Sequence, residues 1–544
     1  MASTLPYEKN KMILSLLLLL SSLMVSSSST KPQESAFSQC ITDLTQSPDL
    51  LSFSGTSSYK SILLSSVQNQ RFLFSPRTSK PAIIVSAGDE SHVQAAVICA
   101  REAGFQTRVR SGGHDYEGLS YSAYGGDASP FITVDISSLR SISFDSGRDS
   151  AWVQAGATIG ELYYAVAKEH PTQAFPAGLC PTVGVGGHFG AGGIGTQMRK
   201  FGTSADNVLD ARIVDYNGRL LDRRAMGEDL FWAVRGGGSS GFGILVAFKV
   251  GLVEVPPVVT VFNVNRLLKQ NATKLVARWQ EVAPALDVNL FIRVIAQART
   301  EGDGNQTIQV TFNSYYLGRQ VQLLAKAKRA FPELGLTAAD CTEMTWLEST
   351  LFFNGEHGKP PEALLDRKPE FNSSFKAKSD FVKQPISETG LKQIWTFLME
   401  AKDEPLVLIM DPMGGRMNEI AEDAIAFPHR KGNLYNIQYF MRWFERDEAT
   451  TQRHLDWMRS LYAFMTPYVS TNPRTAYYNY KDIDLGRNTK GKKTTYSIAK
   501  AWGEPYFKDN FRRLALVKAN VDPENFFWNE QSVPPIHGKQ HAID

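Results

Sequence analysis

The sequence predicts an α+β protein of at least two domains, and three observations predict it. At 544 residues the chain exceeds what one core usually supports. Up to residue 253, short strands alternate with helices and are interrupted by three glycine-rich loops, at 111–113, 184–195 and 236–243. From 254 to about 475 the pattern changes to strands alternating with amphipathic helices such as TKLVARWQEVA, which reads as a separate domain. Composition is ordinary for a globular chain, with 43% hydrophobic and 21% charged residues. A net charge of +3, without a long basic run or a basic–aromatic stripe, argues against a nucleic-acid partner.

The chain opens with Lys9 and Lys11 ahead of the apolar run MILSLLLLLSSLMV, and the small residues SSSST follow. This predicts a secretory leader over 1–29, because the run is short for a membrane span of about 20 residues. A signal anchor is the alternative. The sequons at Asn271, Asn305 and Asn372 fit a secreted glycoprotein. In an oxidising compartment Cys40, near the mature N-terminus, and Cys99, within a helical pattern, are expected to form a disulfide. Cys341 reads as packing. Cys180 sits in a very different setting.

KPAIIVSAG (80–88) predicts a strand, and ESHVQAAVICAREAG (90–104) a helix with Gly104 at its C-cap. FQTRVR (105–110) is a second strand that runs directly into RSGGHDYEG (110–118). Such a strand–helix–strand unit places a glycine loop where ligands approach, outside the carboxyl ends of strands. FITVDIS and AWVQAGA are further strands, and TIGE, with Thr158 and Glu161, predicts a capping box opening the helix ELYYAVAKEH. FPAGLCPTVGVGGHFGAGGIG (175–195) is too glycine-rich for helix or strand, and too apolar for a flexible linker. VLDARIVDYNGRLLD reads as strand, turn, strand. EDLFWAVRGGGSSGFGILVAFKVGLV reads as a helix, a glycine cluster and a strand. No internal repeat is present.

GAGGIG matches the dinucleotide fingerprint G-x-G-x-x-G, but PTVGVGGHF before it is no strand, so a nicotinamide site is not supported. A thiol-protease-like pair of Cys180 and His114 lacks an orienting third residue. The nine histidines show no metal-ligand spacing. The glycine loops are better explained if they present backbone N–H groups to a pyrophosphate or flat ring, to which His114 and Cys180 could bond covalently.

RSGGHDYEG, FPAGLCPTVGVGGH, MGEDLFWAVRGGG, FPHRKGNLYNIQY, AYYNYKDIDLG and NFFWNEQSVPP together resemble the berberine bridge enzyme-like flavoproteins of plants, in the vanillyl-alcohol-oxidase superfamily. The resemblance implies a two-part FAD-binding domain of that type, over 76–253, preceded by an N-terminal segment at 30–75. An α/β substrate domain with an antiparallel sheet covered by helices follows at 254–475, and 476–540 returns to the FAD domain. It implies FAD held bicovalently by His114 and Cys180. Arg110, Ser111, Gly112 and Gly113 would line the pyrophosphate, while Gly184, Gly186, Gly187 and His188 would approach the flavin. Val183 fits the family's small side chain that leaves dioxygen room.

On the substrate side, alternation in YNIQYFMRW puts Tyr435, Ile437, Tyr439, Met441 and Trp443 on one face and Asn436, Gln438, Phe440 and Arg442 on the other. In RTAYYNY, Tyr478 and Tyr480 share a face. The resemblance places Tyr480 at the general-base position and Tyr116 facing the flavin. A phenol ionises near pH 10, so Tyr480 needs nearby positive charge or donors to act at neutral pH.

Ile194 and Asn436 stand where monolignol-oxidising members carry tyrosine and lysine, and Gln438 offers no carboxylate where amine-oxidising members carry glutamate. An amide-rich, charge-poor cavity is expected, like that of the family's carbohydrate oxidases. The implied enzyme is a secreted, monomeric oxidase, extracellular or in the cell wall, with a vacuole or an ER-derived vesicle as the alternative. It would pass hydride from a sugar or oligosaccharide to the flavin, and electrons on to dioxygen. Oxidation or ring closure of a phenolic or alkaloid metabolite is the second reading. Non-redox cyclisation or binding on the flavin scaffold is the third.

Overall fold

In the computed structural model, local signals set the first part of the chain. The structure describes residues 32–536 apart from 76, 126–129, 148, 370–371, 402 and 490–493, so the expected leader lies outside the described residues. Asp89 caps the helix Glu90–Glu102 by accepting from the His92 N–H, and Gly104, at φ +72°, turns the chain out of it. The strands Ile83–Ser86, Phe131–Asp135 and Gln106–Arg110 then pair in parallel, with Leu51–Phe53 antiparallel at one edge. The helix Pro32–Thr45 lies against Glu90–Glu102 and is joined to it by the Cys40–Cys99 disulfide, with Cα atoms 5.6 Å apart.

A second sheet of five antiparallel strands runs Leu220–Leu221, Val208–Val214, Ile244–Gly251, Ser150–Gln154 and Ile142–Phe144. The capping box of Thr158 and Glu161 opens the helix Ile159–Glu169. The segment 184–195 departs from expectation, since Val185–Gly190 forms a short helix. Val185 and Phe189, four residues apart, are both fully buried, and this shared anchorage outweighs the glycines' preference for irregular backbone.

The second part is one antiparallel sheet of seven strands, ordered Cys341–Met344, Val259–Leu267, Gln306–Tyr316, Leu290–Thr300, Leu406–Pro412, Tyr435–Trp443 and Ser374–Val382. Helices Ala272–Val282, Glu388–Glu400 and Glu448–Phe464 cover one face through Trp279, Trp395 and Met458. The alternation read in YNIQYFMRW holds, for Tyr435, Ile437, Tyr439, Met441 and Trp443 all enter this core. RTAYYNY is not a strand. The Tyr480 N–H donates to the Tyr477 carbonyl at 2.9 Å in a turn, and the Tyr477 N–H is taken by Ser379 Oγ rather than by a neighbouring strand. Tyr478 and Tyr480 therefore do not share a strand face.

Beyond this turn the helices Tyr496–Phe507 and Asn510–Val521 bring Trp502, Phe511 and Leu514 into the hydrophobic core of the first part. The two parts are also locked by polar contacts. Arg199, 1% exposed, donates to the carbonyls of Pro284, Leu286, Asp287, Leu290 and Met413. Arg430 makes a bidentate pair with Asp206 at 2.7 and 2.9 Å.

Candidate active site

Two of the glycine loops exist first to meet each other. A Cβ added at Gly112 would lie 2.3 Å from the Gly184 nitrogen, and one at Gly184 would lie 2.1 Å from Ser111 Oγ. Only glycine permits that approach. These glycines thus serve backbone packing, which the reading of them as ligand contacts alone did not foresee. Gly187 differs, because an added Cβ there meets nothing within 4 Å and opens on a cavity of about 390 Å³.

That cavity is lined by Ser111, Gly112, Gly113, His114, Tyr116 and Cys180. Val183, Gly184, Gly186, Gly187 and His188 also line it. His114 Nε2 lies 2.8 Å from Thr182 Oγ1, two residues beyond Cys180, so the histidine and cysteine loops are joined beside the cavity. Burial, with the neighbouring His188, pushes the His114 imidazole down to about 3, leaving it neutral at physiological pH. Burial also lowers His188, to about 4, and its Nε2 accepts from the Gly178 N–H at 2.9 Å. Cys180 is half-buried and is in no disulfide.

Arg110 does not line the cavity. Its guanidinium is fully buried, paired with Asp135 and bonded to the Ile62 and Leu63 carbonyls. A charged group there satisfies backbone acceptors and a carboxylate, which outweighs presenting it to a ligand.

The far wall is aromatic and polar. Tyr116 and Tyr480 stack with ring centroids 5.6 Å apart, and Tyr477 meets Tyr480 edge-on at 5.0 Å. Gln438 Nε2 donates to the Tyr116 hydroxyl at 2.7 Å. Phe375 and Phe440 complete this side. Asn436 is drawn off, for its amide donates to the Asp380 carbonyl at 3.0 Å and the residue does not line the cavity. Arg442, on the same strand face, is exposed with its guanidinium over Phe444, outside the cavity.

The expectation of a charge-poor cavity is corrected by Arg293 and Asp411. They line it as a bidentate pair, at 2.7 and 2.9 Å, from the adjacent strands Leu290–Thr300 and Leu406–Pro412. The signal was present in LVLIMDP. Leu406, Leu408 and Met410 enter the helix-covered core, which leaves Asp411 with Ile409 on the cavity face. Burial pushes the Tyr480 phenol well above its ordinary value, Asp411, Tyr116 and Tyr477 raise it further, and Arg293 opposes them. The positive charge sought from sequence is there, but Asp411 neutralises it.

Asn271, Asn305 and Asn372 are all exposed. Among the described residues no cluster of His, Cys, Asp or Glu could hold a metal, and no helix is long and apolar enough to cross a membrane.

Backbone-rich loops at Ser111–Gly113 and Gly238–Ser240 suit a diphosphate, and the histidine–cysteine end suits a flat ring. Residues 81–224 match the family described as FAD binding domain, and residues 476–534 the one described as berberine and berberine like. Berberine bridge enzyme-like 23 of Arabidopsis thaliana is 52% identical over 472 residues, which cover 86% of this chain and 87% of that protein. Tetrahydroberberine oxidase of Berberis wilsoniae is 49% identical over 523 residues, covering 95% of this chain and 97% of that protein. Among solved structures, wild-type Phl p 4.0202, a glucose dehydrogenase, is similar at a TM-score of 0.87 and 44% identity, covering 92% of this chain and 100% of that one. An isoleucine-to-valine variant of Phl p 4, with the same coverage, identity and TM-score, is described as a glucose oxidase. Near-full-length identity of about one residue in two, joined to a glycine-lined cavity carrying His114 and Cys180, places this chain in the berberine bridge enzyme-like family of FAD-dependent oxidoreductases.

Proposed function

We propose that this enzyme is a secreted oxidase that oxidises a sugar or oligosaccharide at its anomeric carbon to a lactone. The observation that carries the reading is the polar row Gln438–Tyr116 beside Tyr480 and the Arg293–Asp411 pair. These fixed donors and acceptors fit a polyhydroxylated ligand, and sites built for hydroxyls reject ligands that lack them. The sugar-oxidising activity of Phl p 4 supports the same class.

In this reading His114 and Cys180 would hold FAD, which when bound would supply a two-electron acceptor for the substrate's hydride, with dioxygen as the final acceptor and hydrogen peroxide as the product. The neutral His114 imidazole retains the lone pair that such a bond needs. Tyr480 takes the hydroxyl proton as the C–H hydride leaves, so the hemiacetal loses two electrons and two hydrogens and becomes a lactone. The phenol is mainly protonated at neutral pH, and the base is therefore its ionised minority. Gln438 orients Tyr116 by donating to its hydroxyl. Val183, small and beside Cys180, leaves dioxygen room.

The aromatic side formed by Phe375, Phe440 and Tyr116 supports a second reading, oxidation of an alkaloid or phenolic ring system, as does similarity to tetrahydroberberine oxidase. Peroxide release across a panel of aldoses, oligosaccharides, aromatic alcohols and tetrahydroprotoberberines decides between them. Turnover of sugars alone supports the first reading, and turnover of alkaloids or phenolics without any sugar gives the function to the second. Exposed Asn271, Asn305 and Asn372 fit glycosylation in the secretory route, and a mature N-terminus near residue 30 on the purified plant protein would establish leader removal.

A further inference from the structure

A buried ion cluster joins the two loops that carry the stacked tyrosines. Glu117 follows Tyr116 directly, and Asp482 lies two residues after Tyr480. Lys376, on the edge strand Ser374–Val382, reaches both. Its Nζ is paired with Glu117 Oε1 and lies 2.6 Å from Asp482 Oδ1.

Each carboxylate is held from its other side as well. Glu117 Oε2 accepts from Arg71 at 2.9 Å and from the Tyr124 hydroxyl at 2.8 Å. Asp482 Oδ2 accepts from Lys378 at 2.6 Å, and its N–H donates to the Tyr506 hydroxyl at 2.8 Å. The side chains of Lys376, Glu117 and Asp482 are at most 2% exposed. Arg71, Lys376 and Lys378 balance Glu117, Asp482 and Asp484. Burial opposes the Lys376 charge, yet Asp482 and Glu117 outweigh it and hold the ammonium above its ordinary value.

Such clusters contribute little net stability, because desolvation offsets the attraction. What this one does is fix the spacing of two loops far apart in sequence. We propose that Lys376 is a positioning residue for the reaction, bridging Glu117 and Asp482 so that Tyr116 stacks on Tyr480 and the Tyr480 oxygen keeps its aim at the substrate. This rests on Tyr480 being the base.

The test is the double variant K376Q/E117Q, which removes one cation and one anion and leaves the cluster balanced. Flavin reduction by the best substrate, followed anaerobically, is expected to slow about 10²-fold, the cost of a displacement near 1 Å. Substrate Kd and flavin retained in the acid pellet should be unchanged. In a Tyr480→Phe background the same double change should cost nothing more, because both act through one group. Lys376→Arg, which keeps the charge and can reach both carboxylates, should restore most of the rate. If K376Q/E117Q does not load flavin, Asp482→Asn keeps the side-chain shape while removing the charge and one acceptor of the ties to Lys376 and Lys378, and must show the same non-additivity. An unchanged rate in a flavin-loaded variant, or losses that add in the Tyr480→Phe background, overturns the bridge. Full-speed reduction by Tyr480→Phe alone is a separate result, which removes the base and the proposal with it.

Discussion

The rings of Tyr116 and Tyr480 lie 13° from parallel with centroids 5.6 Å apart, although they are 364 positions apart in the chain. Gln438 holds the Tyr116 hydroxyl, while Tyr477 meets Tyr480 at its edge. The pair forms one wall of the cavity that His114 and Cys180 also line.

The pH dependence of flavin reduction follows from this wall. Burial and the Asp411 carboxylate raise the Tyr480 phenol, so its ionised fraction grows about tenfold per pH unit below its pKa. The logarithm of the reduction rate should therefore rise with a slope near one from about pH 6 to 9. Asp411→Asn removes the anion and leaves Arg293 uncompensated, which favours the phenolate. Stopped-flow profiles should show the rising limb displaced to lower pH in Asp411→Asn. A limb that stays in place would mean that another group takes the proton.

The proposed attachment of FAD to both His114 and Cys180 predicts a pattern across three variants. His114→Ala and Cys180→Ala should each keep yellow colour in an acid-precipitated pellet, through the remaining bond. The double variant should release all of it to the supernatant. Absorbance of pellet and supernatant at the flavin maximum measures this directly, and free FAD from the wild type would contradict both linkages.

Val183 lines the cavity, with its N–H donating to the Cys180 carbonyl at 3.2 Å. Val183→Leu adds one methylene beside Cys180. Reoxidation of the reduced enzyme in air should slow by at least about tenfold, while anaerobic reduction by substrate is preserved, because overfilling a close-packed site blocks entry. An unchanged oxygen rate would place the oxygen path elsewhere.

Arg199 ties the two parts of the chain through five carbonyls, those of Leu286, Leu290 and Met413 being buried. Arg199→Ala removes the donor to those carbonyls, of which Asp287 keeps the Leu290 N–H, and should destabilise the protein by at least about 3 kcal/mol, with each buried unpaired group costing about 1–3 kcal/mol. Denaturant unfolding measures the loss. A change below about 1 kcal/mol would show that water replaces the guanidinium.

Features written in short segments were legible before any fold was known. Asp89 and Gly104 bound one helix, Thr158 and Glu161 open another, and the alternation of YNIQYFMRW divides the core face of its strand from the other, because caps and periodicity depend on neighbours a few residues away. RSGGHDYEG and FPAGLCPTVGVGGH likewise marked loops that line the cavity, and Cys40 with Cys99 marked the disulfide.

Which of those residues meet depends on long-range packing. Arg293 and Asp411 are 118 positions apart, and Lys376 is 259 from Glu117, so each pair exists only once sheet order and chain return are set. Asn436 obeyed the alternation yet was captured by the Asp380 carbonyl, while Gln438, two residues on, reached Tyr116. Arg110 turned inward because Asp135 and two backbone carbonyls outcompete a ligand for it. Tyr480 came to the cavity on a turn instead of a strand, because Ser379 took the Tyr477 N–H. In each case a buried polar group had to find a partner, and the partner lay on a segment that periodicity cannot see.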